Sequence, residues 1–111
     1  MQSNNKMSDE KNKNIQEVQF LEQNLQNLLF QKQAFQMELT ETQSALKEIE
    51  NSQDDSYKLI GQLMIKISKS KIKEELSDKE RILNLKIKNF EKQEKYLSEK
   101  LEQIRKQIIN K

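Results

Sequence analysis

The sequence predicts a mainly α protein: an antiparallel two-helix coiled coil with a single β-hairpin between the helices, the hairpins of several chains assembling into an intersubunit β-barrel. Three observations predict it. The chain has 111 residues with no Pro and one Gly, and is rich in Glu, Lys, Gln and Leu, a composition that favours long unbroken helices. Two segments repeat apolar residues alternately three and four apart. Between them lies YKLIGQLMIKIS (57–68), apolar and β-branched around the single glycine.

Residues 1–13 (MQSNNKMSDEKNK) are polar and carry no periodic apolar face, so this stretch is expected to be disordered or frayed. The first helix is expected over 14–52. Its seam is Val18, Leu21, Leu25, Leu28, Lys32, Phe35, Leu39, Thr42, Leu46 and Ile49, eight of ten apolar. The turn-forming run Asn51-Ser52-Gln53-Asp54-Asp55 should stop it. The second helix is expected over 70–109, with the seam Leu76, Glu80, Leu83, Ile87, Phe90, Glu94, Leu97, Leu101, Ile104 and Ile108. Each arm would reach roughly 57–60 Å at the helical rise. Arms of equal length joined by a short insert fold back on each other most simply.

An antiparallel register then follows from matching the polar breaks. It sets Val18 by Ile104, Leu21 by Leu101, Leu25 by Leu97, Phe35 by Ile87, Leu39 by Leu83 and Leu46 by Leu76. Thr42 falls opposite Glu80, and Lys32 lies beside Phe90 within reach of Glu91 or Glu94. Residues 14–52 carry two Lys against six Glu, whereas 70–111 carry twelve Lys or Arg against eight acids. Opposite charge on the two arms favours their pairing.

The insert, 56–68, reads as a hairpin for oligomerisation. Tyr57 and Leu59 alternate with Lys58 and Ile60; Leu63, Ile65 and Ile67 alternate with Met64, Lys66 and Ser68. Gly61 supplies the positive φ that a tight turn demands. An isolated hairpin is marginal in water and has two open edges, and the arms are occupied with each other. Strands from other chains must cover it.

The quoted features resemble the β class of subunits of prefoldin, the GimC co-chaperone. They are a helix ending LTETQSALKEIE, an acidic turn, then YKLIGQLMIKIS and a charged second helix. The resemblance covers about residues 15–109, and one hairpin rather than two fits the β class. It implies a hexamer of two α and four β subunits whose hairpins form a double β-barrel platform. It further implies an ATP-independent holdase that captures unfolded proteins at the coiled-coil tips and delivers them to a cytosolic group II chaperonin, without any cofactor.

The residues bear on that mechanism separately. Phe20, Phe30, Met37, Tyr96 and Ile109 fall on outward heptad positions, where large apolar groups are informative. Each taken singly also reads as a neutral surface residue packed on Lys or Gln stems. Near the open end Val18, Phe20, Leu21, Leu101, Ile104, Ile108 and Ile109 concentrate apolar surface, and this cluster is the expected client contact.

Other chemistries lack their parts. His and Cys are absent, which removes imidazole catalysis, the common nucleophile triads and the usual zinc sites. One glycine cannot build a phosphate loop. Asp54-Asp55 reads as a turn rather than a metal site. Lys66, Lys69, Lys71 and Lys73 form a basic run without interleaved aromatics, unlike a single-strand nucleic-acid platform. No signal peptide or membrane-spanning run is visible, so a cytoplasmic protein is expected, not an enzyme, with no nucleic-acid or membrane partner. The alternative reading is a coiled-coil adaptor or tether without chaperone activity.

Overall fold

The computed structural model describes residues 2–53 and 55–109, with side chains from residue 9 onward. Helix α1 runs Gln2–Asn51, strand β1 Ser56–Ile60, strand β2 Leu63–Ile67 and helix α2 Lys69–Ile109. The expected order of helix, hairpin and helix is therefore the observed one. α1 starts at Gln2 rather than at 14, so residues 2–13, expected to be disordered, are helical. No Pro or Gly interrupts them, and once a helix is nucleated each added residue costs little. Residues 9–13 nevertheless lie exposed. α1 stops where the run of turn-formers begins; Asp54 of that run lies outside the described residues.

The heptad spacing places its residues as expected. All ten seam positions of α1 and all ten of α2 are buried or half-buried. Full burial of such an apolar side chain contributes about 1.5–3 kcal/mol, which applies to Leu21, Leu83, Ile87, Leu101 and Ile104; the half-buried seam residues contribute less. The chain's contacts group into two compact units, residues 1–32 with 89–111, and residues 33–88.

In the first unit Leu21, Leu101 and Ile104 are the buried centre, with Val18, Leu25, Leu97 and Ile108 packed on them. This is the set of neighbours that the antiparallel register brings together. Lys32 Nζ donates to Glu94 Oε2 at 3.3 Å, the pairing the register placed within reach. The same ammonium lies 3.3 Å from Glu94 Oε1 without the geometry to donate to it, so that oxygen is held by charge alone. Arg105 pairs with Glu22.

In the second unit Thr42, Leu83 and Ile87 are buried. The Lys86 ammonium sits 5.1 Å from the centre of the Phe35 ring, a cation–π contact. Thr42 shares no hydrogen bond with Glu80. Its hydroxyl donates instead to the Glu38 carbonyl at 2.8 Å, the local back-bond open to a helical threonine. Lys79–Glu38 at 3.2 Å and Lys73–Glu50 at 3.4 Å join the helices outside the seam.

Candidate assembly and client-contact surfaces

The hairpin is built by its turn. Ile60 pairs with Leu63, which leaves Gly61-Gln62 as a two-residue loop. Gly61 has φ +60, and no other described residue has a positive φ. A positive angle at the first central position alone marks a type II′ turn, whose twist matches the strands it joins. A Cβ at Gly61 would meet nothing within 4 Å, so the backbone angle, not crowding, calls for glycine there.

The pairing fixes the faces. Tyr57↔Lys66 and Leu59↔Met64 lie on one side; Ser56↔Ile67, Lys58↔Ile65 and Ile60↔Leu63 lie on the other. Both faces are therefore apolar, where the alternation within each strand suggested one apolar side. Tyr57, Leu59, Ile60, Leu63, Met64 and Ile65 are all exposed, and Ile67 is half-buried. Met64 was not singled out in the sequence. Only the cross-strand register shows that it completes a second greasy face with Leu59 and Tyr57. Among the described residues each strand has a neighbour on one side only, so both edges also stand open.

The terminal cluster divides. Leu21 and Leu101, at 5% and 4% exposure, and Ile104 form the seam rather than a free surface. Val18 and Ile108 are half-buried against them. Phe20 at 65% and Ile109 at 80% are open to solvent. Phe30, Met37 and Tyr96 are exposed as expected, and Tyr96 has Lys100 Nζ 6.0 Å from its ring centre. Ile15, Leu29, Ile82 and Leu85 are also exposed. Sequence reading missed these four; their positions outside the a and d spacing were the available signal.

The basic run is largely engaged. Lys66 pairs with Asp55 at 3.1 Å, and Lys73 with Glu50. Lys69 Nζ donates to the carbonyls of Ser52 at 2.9 Å and Glu50 at 3.5 Å. Among the described residues no group of three or more acidic, His or Cys side chains could hold a metal. No helix of the described residues is long and apolar enough to cross a membrane.

Comparison with known proteins agrees with this architecture. Residues 12–111 match the family model described as "Prefoldin subunit". "Prefoldin subunit beta" of Thermococcus kodakarensis is 42% identical over 94 residues, covering 83% of this chain and 80% of that protein. Its namesake in Saccharolobus islandicus is 30% identical over 105 residues, covering 93% and 83%. The crystal structure of the prefoldin beta subunit from Thermococcus strain KS-1 superposes with a TM-score of 0.85 at 37% identity, covering 89% of each chain. The beta2 subunit of that strain, at 21% identity and a TM-score of 0.70, covering 78% of this chain and 95% of that one, shares the fold. Two long helices, a two-residue II′ hairpin between them and a match across nearly the whole length place the chain in the prefoldin family of non-enzymatic chaperone subunits, in its beta class.

Proposed function

We propose that this chain is one of four β subunits that join two α subunits in a cytoplasmic, ATP-independent holdase. The hairpins close into an intersubunit β-barrel, the terminal ends of the helices hold unfolded proteins, and the cargo passes to a group II chaperonin. The observation that carries this reading is the hairpin: two strands, open at both edges and apolar on both faces, with no covering layer among the described residues. A tether would need only the helices.

Client contact rests on Phe20 and Ile109, the members of the terminal cluster whose side chains are free. Fraying of the helix ends releases Val18 and Ile108 as well. Exposed apolar groups on flexible ends suit clients of no fixed sequence. The test is suppression of aggregation of a denatured protein by the complex reconstituted with an α-type subunit. The double variant Phe20→Ser, Ile109→Ser leaves Leu21, Leu101 and Ile104 packed. It should assemble normally and lose most of its protection. Full protection by that variant would overturn capture at the helix ends. Absence of any discrete complex with an α-type subunit would overturn the assembly.

A further inference from the structure

The chain has four methionines and no cysteine, so thioethers are the only sulfur it offers to an oxidant. Two of them have described side chains, and both are open to solvent: Met64 of β2 at 71% and Met37 of α1 at 67%. Their surroundings differ. Met37 stands on the outward side of a helix. Met64 stands in the hairpin, beside an edge that another chain has to cover.

The register places Met64 at that edge. Ile60 and Leu63 flank the two-residue turn and are its hydrogen-bonded pair. Bonded and unbonded pairs alternate along an antiparallel ladder, so Leu59↔Met64 is an unbonded pair. Its side chains lie close together, and the N–H and carbonyl of Met64 face the open edge of β2. A strand joining that edge bonds to the backbone of Met64 and brings its own side chain beside the thioether. On the same face Leu59 stands directly across, and the ammonium of Lys66 is paired with Asp55 at 3.1 Å.

We propose that Met64 makes assembly sensitive to peroxide: oxidation of Met64 in the unassembled chain blocks its joining to partners, and assembly in turn shields the sulfur. The inference rests on the hairpin being the assembly element. A sulfur lone pair of Met64 attacks one oxygen of hydrogen peroxide and the O–O bond breaks. The displaced hydroxide takes the proton of the transferred oxygen and leaves as water. Sulfur is oxidised to the sulfoxide and the peroxide is reduced. A flexible apolar side chain thereby becomes a polar one with a strong acceptor oxygen. At an open edge water satisfies that oxygen. Under a joining strand, with Leu59 across from it, the oxygen loses its water, and a covered polar group without a donor is costly. Oxidation of Met37 adds the same oxygen to a helix surface outside the hairpin, which makes it the internal control.

The test is partial oxidation of the full-length, unassembled chain with hydrogen peroxide, followed by mixing with a limiting amount of an α-type subunit. Complex and free chain are separated, and sulfoxide is mapped at each methionine by peptide mass spectrometry. Met64 sulfoxide should be depleted about tenfold from the complex, while Met37 sulfoxide is shared evenly. Methionine sulfoxide reductase should return the free fraction to assembly. Met64→Leu, close in volume to the parent, should assemble normally and stay competent after oxidation; Met37→Leu should remain as sensitive as the parent. Even partition of Met64 sulfoxide between complex and free chain would overturn the proposal, as would a Met64→Leu chain that loses assembly on oxidation as fully as the parent. Either result leaves the assembly reading standing. If the unoxidised parent forms no discrete complex, the assembly reading fails and the peroxide sensitivity falls with it.

Discussion

At the scale of single residues, Gly61 is the position where sequence and structure agree most directly. A tight turn in a run of β-branched residues needs one residue with positive φ, and the chain has one glycine to give. Gly61→Ala should cost the hairpin about 1–2 kcal/mol, the strain of an L side chain in that region. Its check is faster amide exchange across Ser56–Ile67, with the exchange of both helices unchanged. Thr42 was harder to read. Heptad spacing located it in the seam, and it is buried, but spacing cannot say whether a hydroxyl will reach across to Glu80 or back to its own helix. The backbone carbonyl four residues earlier is always in place, while the distance to a facing carboxylate depends on the interhelical gap. Phe20 and Leu21 show the same limit from the other side. Adjacent in sequence, they lie outside and inside the pair, and a list of apolar residues near one end does not separate them.

At the scale of the elements, the helices were legible because their polar interruptions are matched. Lys32 and Glu94 each occupy a position where an apolar residue would pack better, and they meet each other. A polar residue in a coiled-coil seam fixes register at a cost in stability. This pair is half-buried, with side chains 19% and 18% exposed, so it gains strength from partial desolvation without the full burial penalty. Replacing Glu94 alone by Leu leaves a cation half-buried and should lower the thermal midpoint by about 4–8 °C, the shift expected for roughly 1 kcal/mol in a chain of this size. Replacing both by Leu should restore or raise the midpoint while relaxing the register. Disulfide formation between Leu25→Cys and Leu97→Cys checks the second half. It should be efficient in the parent seam and shared with a cysteine one heptad away in the double Leu variant. The start of α1 was not legible: polar, unbroken sequence is compatible with helix or coil, and no apolar stripe decides between them.

At the scale of the whole molecule, the opposite charge of the two helices is a weaker force than the composition suggests. Glu22–Arg105, Glu38–Lys79 and Glu50–Lys73 all place the acid on α1 and the base on α2, yet their side chains are about half exposed. Such pairs contribute ~0–1 kcal/mol each and fade with salt. What the described residues do not supply is cover for the hairpin. That need was visible in the sequence as an apolar stretch with no partner, but its full extent was not. The second apolar face exists only because Leu59 stands opposite Met64, and cross-strand register is not written in either strand alone. Stability should accordingly depend on partner subunits far more than on salt. A partner present at about a hundred times its dissociation constant adds ~2.7 kcal/mol to the folded state, which for a chain of this length raises the thermal midpoint by about 10–20 °C. Leu59→Glu should abolish that rise, because a carboxylate replaces an apolar contact in the covered sheet. The unassembled variant should unfold where the unassembled parent does, since Leu59 is exposed there. Thermal scans of parent and variant, each with and without an α-type subunit, decide the point; a partner-induced rise that survives Leu59→Glu would place the assembly contact elsewhere than on the hairpin.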